Sequence, residues 1–492
     1  MLLPPEPKPA PPPFSLEVLA RLPLAEAFYG LWNHLTTDDL LRPLYDLHRG
    51  ASYEDQLTFP QLVRVVADAL TRFHGRGRQA ILRAIDHQQL STQQRAVYTK
   101  LSRVPLPLAE ALLAALTARL RPLLPAGVLH TPGPASLAGL SVVILDGKKI
   151  KRVAKRLLEV RGCPGKVFGG KLLAAYLPAL GLAVALAADP DGEANDIRLV
   201  PRVLPLARAA VAGPRLWVAD RQFCDLDQPA RFCAGDDHYL IRFSKKTGFH
   251  PDPSRPAQAG VDSRGRAFRQ EWGWLGAVAQ GARRCYVRRI WLSRPGEEDV
   301  ILVTDLLEAG VYPAVDLLDV YLSRWQIETV FQKITEVFEL RHLIGCTPQA
   351  TVLQASLCLA MYNVLQVFRA HAAAGRPEPT PVASVSVAKL FEAVHEDLVA
   401  LHEVLRVEEI TACFETVLTP EQLRERLREL LGRAWSKDWL KVVPKKPRVY
   451  QPKAKQAGAH TSVHKILQEA RQRKQEEARQ RKQAKKPSQG GP

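Results

Sequence analysis

The chain has 492 residues, 46% of them hydrophobic, which is enough for more than one buried core and too much for an intrinsically disordered protein. Its 68 Lys and Arg against 50 Asp and Glu leave a formal charge of +18, a balance that favours a polyanionic partner, either nucleic acid or an acidic membrane surface. Cys163, Cys224, Cys233, Cys285, Cys346, Cys358 and Cys413 form no C-x-x-C pair and no zinc-like spacing, which argues against a disulfide framework and a structural zinc and fits a reducing cytoplasm.

The N-terminal string MLLPPEPKPAPPPF, residues 1–14, is rich in proline and lacks a basic stretch leading into an apolar run. It reads as a disordered leader, not as a signal peptide, so export is not expected. Residues 15–129 read as helices. Thr58 and Pro60 open a segment with Leu62, Val66, Ala69, Leu70 and Phe73 on one face, ending near Gly75, and Ser91 with Gln94 is expected to form a capping box. The string HTPGPAS at 130–136 reads as a linker.

From residue 141 the texture changes to short apolar runs bounded by turn residues: SVVILDG, KLLAAYLP, GLAVALAAD and RLWVAD. With a helix expected from about Asn195 to Val211, this predicts an α/β core with a mixed sheet over residues 137–350. The uncharged stretch Leu172–Ala188 is short for a bilayer span and is interrupted by Pro178 and Gly181, so it predicts two buried strands and no membrane partner. HYLIRFS, RCYVRRIWLS and DVILVTDL predict β-hairpins inserted at about 237–305. Helices are expected over 351–440. Residues 441–492 carry 15 Lys and Arg against 3 acidic residues and repeat EARQRKQ, which predicts a basic, disordered, low-complexity tail, able to turn helical when bound or serving simply as a solvated, solubilising segment.

Three carboxylates stand out. Asp146 ends VVIL and precedes Gly147, and Asp220 ends LWVA, so each is expected at a strand terminus; neighbouring strands ~4.8 Å apart would bring the two within reach of one divalent cation. Each also has an ordinary explanation, Asp-Gly as a turn and Asp220 as a helix cap. Glu328 lies in DLLDVYLSRWQIETVFQKITEVFEL, read as one helix with Val320, Ile327, Phe331, Ile334 and Phe338 facing a core. On that projection Tyr321, Arg324, Glu328, Gln332 and Thr335 border the buried face, as at the edge of a cleft, although an ordinary i,i+4 pair between Arg324 and Glu328 accounts for part of the pattern.

The spacing of Tyr321, Arg324 and Glu328 in YLSRWQIETVFQKI resembles the Tyr-Arg-Glu-Lys signature of DDE transposases of the insertion-sequence-four family. LDGKKIKRVAK around Asp146 and VADRQF around Asp220 resemble that family's first and second aspartate blocks, and the resemblance spans about 140–350. It implies an RNase H-like core with a β-rich insertion, and Asp146, Asp220 and Glu328 as the catalytic ligands of two Mg²⁺ ions, for which Mn²⁺ would substitute. It also implies Tyr321 and Arg324 on the DNA backbone and an aromatic of the insertion stacked on a flipped base. Trp291 is the first candidate for that aromatic, with Trp272 and Trp274 behind it. The family's lysine is expected where this chain has Thr335; Lys333 is the nearest substitute, but it projects ~140° around the helix from Glu328.

The function so implied is cut-and-paste transposition. The helical N-terminal region would bind the inverted repeats, with Arg64, Arg72, Arg76, Arg78 and Arg83 as phosphate contacts. Target DNA would be the second substrate, a homodimer would hold the paired ends, and the protein would be cytoplasmic and nucleoid-associated. The rivals are a nuclease that cleaves without joining and a non-catalytic DNA-binding protein derived from a transposase. A phosphate loop at Gly165-x4-Gly170-Lys171 is disfavoured because Leu172 stands where Ser or Thr is needed.

Overall fold

The computed structural model describes residues 12–151, 153, 155–277, 284–376, 380–414, 416, 418–442 and 459–484. Most of the expected proline-rich leader lies outside these residues, but Pro13 and Phe14 already belong to the first helix. Helices α1 (Pro13–Arg21), α2 (Pro23–Leu35), α3 (Asp38–His48), α4 (Phe59–Thr71), α5 (Gly77–Asp86), α6 (Gln94–Arg103) and α7 (Leu106–Leu120) make up the N-terminal region. Proline occupies one of the first two positions of α1, α2, α4 and α7, where a missing N–H leaves no bond unmade. Thr58 and Gln61 close a reciprocal capping box on α4. The box expected at Ser91 and Gln94 does not form: Gln94 is itself the first residue of α6, one position after the cap Gln93.

The linker expected at 130–136 separates two kinds of secondary structure but not two cores. Helix α7 lies directly on the sheet: Glu110 accepts a 2.8 Å bond from the Ala188 N–H, and Thr117 Oγ1 donates to Ala183 O at 3.3 Å.

The strands and helices that follow are β1 (Ser141–Lys149), β2 (Lys166–Phe168), β3 (Lys171–Leu177), β4 (Leu182–Asp189), α8 (Val200–Ala210), β5 (Arg215–Ala219), α9 (Gln228–Phe232) and β6 (His238–Arg242). Then come β7 (Phe249–Pro251), β8 (Gln258–Val261), β9 (Ala267–Leu275), β10 (Cys285–Leu292) and β11 (Val300–Thr304). The sheet runs β4-β3-β1-β5-β6-β11-β10-β9-β7, with β8 also on β9. Strands β1, β5 and β6 are parallel neighbours, while β3 and β4 are antiparallel additions on the other side of β1. This mixed sheet, with helices and a helical N-terminal region, is consistent with an RNase H-like core. One expectation is corrected here. His238–Arg242 is not part of an inserted hairpin; it is parallel to β5, and the remaining strands continue the same sheet beyond it.

Helices α10 (Ala314–Leu322) and α11 (Trp325–Glu336) replace the single helix expected across 316–340, with the break at Ser323 and Arg324. Next is α12 (Pro348–Ala374), the centre of the molecule. Leu172–Ala188 forms the buried β3 and β4, as expected, but the uncharged run 343–368 is longer. It supplies α12, the one described helix long and apolar enough to cross a membrane, and that apolar stretch is wholly buried inside this protein. Ser356 and Asn363 of α12 bond to Ala109 O and Thr117 Oγ1 of α7 at 2.6 and 2.9 Å. Helices α13 (Val387–Val404), α14 (Val407–Cys413) and α15 (Pro420–Arg433) pack back on the N-terminal helices.

The disorder expected of the tail is corrected for residues 459–484, while 443–458 and 485–492 lie outside the described residues. Strand β12 (His460–Ser462) pairs in parallel with β2, and α16 (Val463–Ala484) follows. The reason is local: Val463 is fully buried, and His460 and Lys465 pair with Glu193, His460 at 2.8 Å. The repeats lie along that helix, and its residues 471–481 are exposed.

Candidate active site

Strands β1 and β5 pair from Ser141↔Arg215 to Ile144↔Val218. Continued by two residues, the same register sets Asp146 opposite Asp220, on strands ~4.8 Å apart. The side-chain period of two puts Ile144, Asp146 and Lys148 on one face of β1. Helix α11 crosses that face and brings Glu328 in its first turn.

Arg324, at the break between α10 and α11, holds the acids together. Its Nη2 lies 3.0 Å from Glu328 Oε1 and its Nη1 3.8 Å from Asp146 Oδ2, while its buried Nε has no protein partner. The i,i+4 pair expected from the sequence is therefore real, and it reaches across to the first aspartate. Burial, together with the charges of Asp220 and Glu328, pushes the Asp146 carboxyl up to about 7 against the pull of Arg324. Burial also raises Asp220, opposed by the Gln222 N–H, which donates to Asp220 Oδ1 at 2.9 Å. Asp220 thus also caps the short turn after β5, its ordinary explanation. Among the described residues no three acidic, His or Cys side chains stand close enough together to form a ready-made metal cage; the guanidinium of Arg324 is wedged between two of the acids.

Tyr321 is buried, with the Arg324 guanidinium 5.9 Å from its ring. No ion pair or hydrogen bond among the described residues joins Lys333 to the acids; its charge is one of those that lower Lys441. Lys148, on the Asp146 face of β1, reaches the same helix. Its Nζ donates to Phe331 O at 3.3 Å, the same carbonyl that accepts the Thr335 hydroxyl at 2.7 Å. A lysine of β1 therefore arrives beside the position where the family pattern has its own. Alternation along β1 places it on the face of Asp146, but the helix it meets there is set only by the tertiary structure.

Of the three tryptophans, Trp272 is buried and donates to Leu307 O, and Trp274 packs on Tyr286. Trp291 is 40% exposed and donates to Asp299 at 2.9 Å. The adjoining Glu298 pairs with Arg221 and Arg242, so the β10–β11 turn sits at the same sheet end as Asp220. Gly170 and Lys171 lead into a strand, not a helix, and Lys171 is committed to a buried ion pair with Asp196 at 2.7 Å, so no phosphate loop exists there.

Asp196 was not foreseen. It is buried, bonds to the Gln222 side chain, and lies against Gly147. Its carboxylate therefore touches the segment after each aspartate of the site. Of the basic residues expected on phosphates, Arg64 pairs with Asp38 at 3.6 Å and Arg72 with Asp68 at 3.3 Å; Arg76, Arg78 and Arg83 are exposed and have no ion pair among the described residues.

Residues 137–364 match the family of the transposase DDE domain, a span that contains every acid of this site. No curated protein matches the chain. The match supports a DDE transposase, an enzyme of DNA cleavage, and with it DNA as the partner.

Proposed function

We propose that this chain carries out cut-and-paste transposition: nicking at the inverted repeats of a mobile element, followed by joining of the freed 3′ hydroxyl to target DNA. The observation that carries the reading is the equal register of Asp146 and Asp220 on adjacent parallel strands, with Glu328 tied to Asp146 through Arg324. On this reading the β1, β5 and β6 strands with their antiparallel additions form an RNase H-like core of the insertion-sequence-four type.

The donor chemistry fits a divalent cation. Three carboxylates are the hard oxygen ligands Mg²⁺ accepts, and Asp146 is held up at about 7 by burial and the negative charge around it, which a cation relieves. Asp146, Asp220 and Glu328 would hold two Mg²⁺ ions, with Mn²⁺ as substitute and Asp146 shared. Such a pair, when bound, activates the attacking oxygen and stabilises the leaving one. Arg324, whose buried guanidinium lies between Asp146 and Glu328, would also offer a phosphate oxygen charge-assisted bonds that fix the backbone. Tyr321 walls the same spot. Lys148 adds a positive charge beside α11 in place of the lysine absent at 335, and Lys333 serves DNA affinity at a distance. Trp291 offers an exposed ring for stacking on an unpaired base. Two copies of the chain would hold the two ends, in the cytoplasm on the nucleoid.

Asp146→Asn, Asp220→Asn and Glu328→Gln should each abolish Mg²⁺-dependent cleavage of an end-containing duplex and leave its binding measurable. Near wild-type cleavage by any one variant removes that residue from the site. Cleavage without strand joining by the wild-type chain would favour the nuclease reading instead.

A further inference from the structure

A cleft of about 880 Å³ opens between α5 and the segment after α11, lined by Arg76, Arg78, Arg83, Arg156, Arg341 and His342, with Asp86 as its one acid. All six basic side chains are exposed. Arg341 is tied to Glu339 at 2.6 Å, but Arg76, Arg78, Arg83 and Arg156 have no ion pair among the described residues. So much unneutralised charge in one concavity is self-repelling, and it persists only where a polyanion or solvent ions offset it. Arg64 and Arg72, nearby in sequence, are by contrast neutralised within the chain.

The walls are built to a fixed separation. A Cβ at Gly77 would overlap the Ile344 side chain, and one at Gly75, whose φ is +75°, would overlap Glu339. Only glycine lets the two segments touch. The second wall is pinned from behind by buried Gln354, which accepts from Ile344 N at 2.8 Å and donates to His342 O at 3.0 Å. The first wall ends in the N-terminus of α5, whose cap Arg76 supplies no side-chain acceptor. The end of the helix dipole thus adds positive potential to the arginines.

The cleft also has a direction. Arg156 follows the strand that carries Asp146, and the 339–344 segment follows the helix that carries Glu328, whose last turn lies ~12 Å beyond that residue. Both elements of the site lead into it.

We propose that this cleft is the track for the phosphate backbone of the duplex flanking the cleaved position, contacted by Arg76, Arg78, Arg83 and Arg156 without regard to base sequence. The proposal rests on the transposase reading for the identity of the polyanion.

The test is binding of the full chain to a fluorescent duplex across a salt series. Arg76→Gln/Arg78→Gln/Arg83→Gln should weaken binding at least 10-fold at physiological salt, and flatten the slope of log K against log salt by ~0.9 for each phosphate no longer neutralised. Arg156→Gln, on the opposite wall, should flatten it by about one such step. Arg42→Gln, at an exposed arginine already paired with Asp38 at 2.8 Å, should leave it unchanged. A triple variant with the wild-type slope overturns the proposal, whatever its cleavage. Wild-type and variant that differ in slope while neither cleaves DNA would keep the track and remove the transposase reading. A wild-type chain that binds no duplex removes both.

Discussion

The carboxylate of Asp196 rests on the backbone of Gly147, the residue after Asp146, so closely that a Cβ at that glycine would overlap it. The same carboxylate is paired with Lys171 and bonded to Gln222, two residues after Asp220. One buried acid therefore fixes the strand ends that carry both aspartates.

From this contact, Gly147→Ala should fold less stably and lose cleavage, because Asp196 cannot move aside without leaving Lys171 buried and unpaired. Asp196→Asn should cost ~3–5 kcal/mol by the same loss of a buried partner. Thermal unfolding alongside single-turnover cleavage checks both. Unaltered cleavage in either variant would show that Asp196 positions nothing.

Lys148 and Lys333 should separate in kinetics. Lys148→Met is expected to lower the single-turnover cleavage rate by ~10²-fold, the scale for loss of one preorganised charge near a transferring group, with little change in affinity. Lys333→Ala should weaken DNA binding and leave the rate alone. Thr335→Lys should maintain or raise cleavage, since its side chain starts beside Lys148 at the Phe331 carbonyl. A collapsed rate in Lys333→Ala with normal binding would reverse the assignment.

Arg324→Lys is not expected to be conservative. The guanidinium meets Asp146 and Glu328 with separate nitrogens of one planar fork, and an ammonium offers all its donors from a single point. Cleavage should fall by ~10²-fold or more. Activity within a few-fold of wild type would mean that a point charge suffices there.

Acid stability should depend on two buried histidines remote from the acids. Burial lowers both His130 and His402 to about 3, below their ordinary value of 6.5. A depressed histidine contributes stability that is fully present above pH 6.5 and is lost as pH falls towards 3. The loss is ~1.4 kcal/mol per pH unit for each residue. His402→Gln, which keeps a polar partner for the Tyr29 hydroxyl, should show a shallower loss of urea-unfolding free energy between pH 6 and 4. An unchanged slope would mean that His402 is not buried in its neutral form.

Alternation and turn residues alone determined the strands that carry Asp146 and Asp220, because an apolar run ending in a carboxylate has few other ways to fold. The 3.6-residue stripe likewise placed Glu328 on a helix at the edge of a core, and the spacing of Tyr321, Arg324 and Glu328 carried the family resemblance. What lay beyond reach was everything set by partners distant in the chain. His238–Arg242 looks like any half-buried strand, and only its parallel pairing with β5 makes it part of the core. The tail's repeats read as solvated charge, yet the few residues before them find an open edge at β2 some 300 positions earlier. The sequence places Lys148 and Asp196 as neighbours of nothing in particular. Their roles follow from a carbonyl on α11 and the bare backbone of Gly147, contacts that exist only once the sheet and helices have closed.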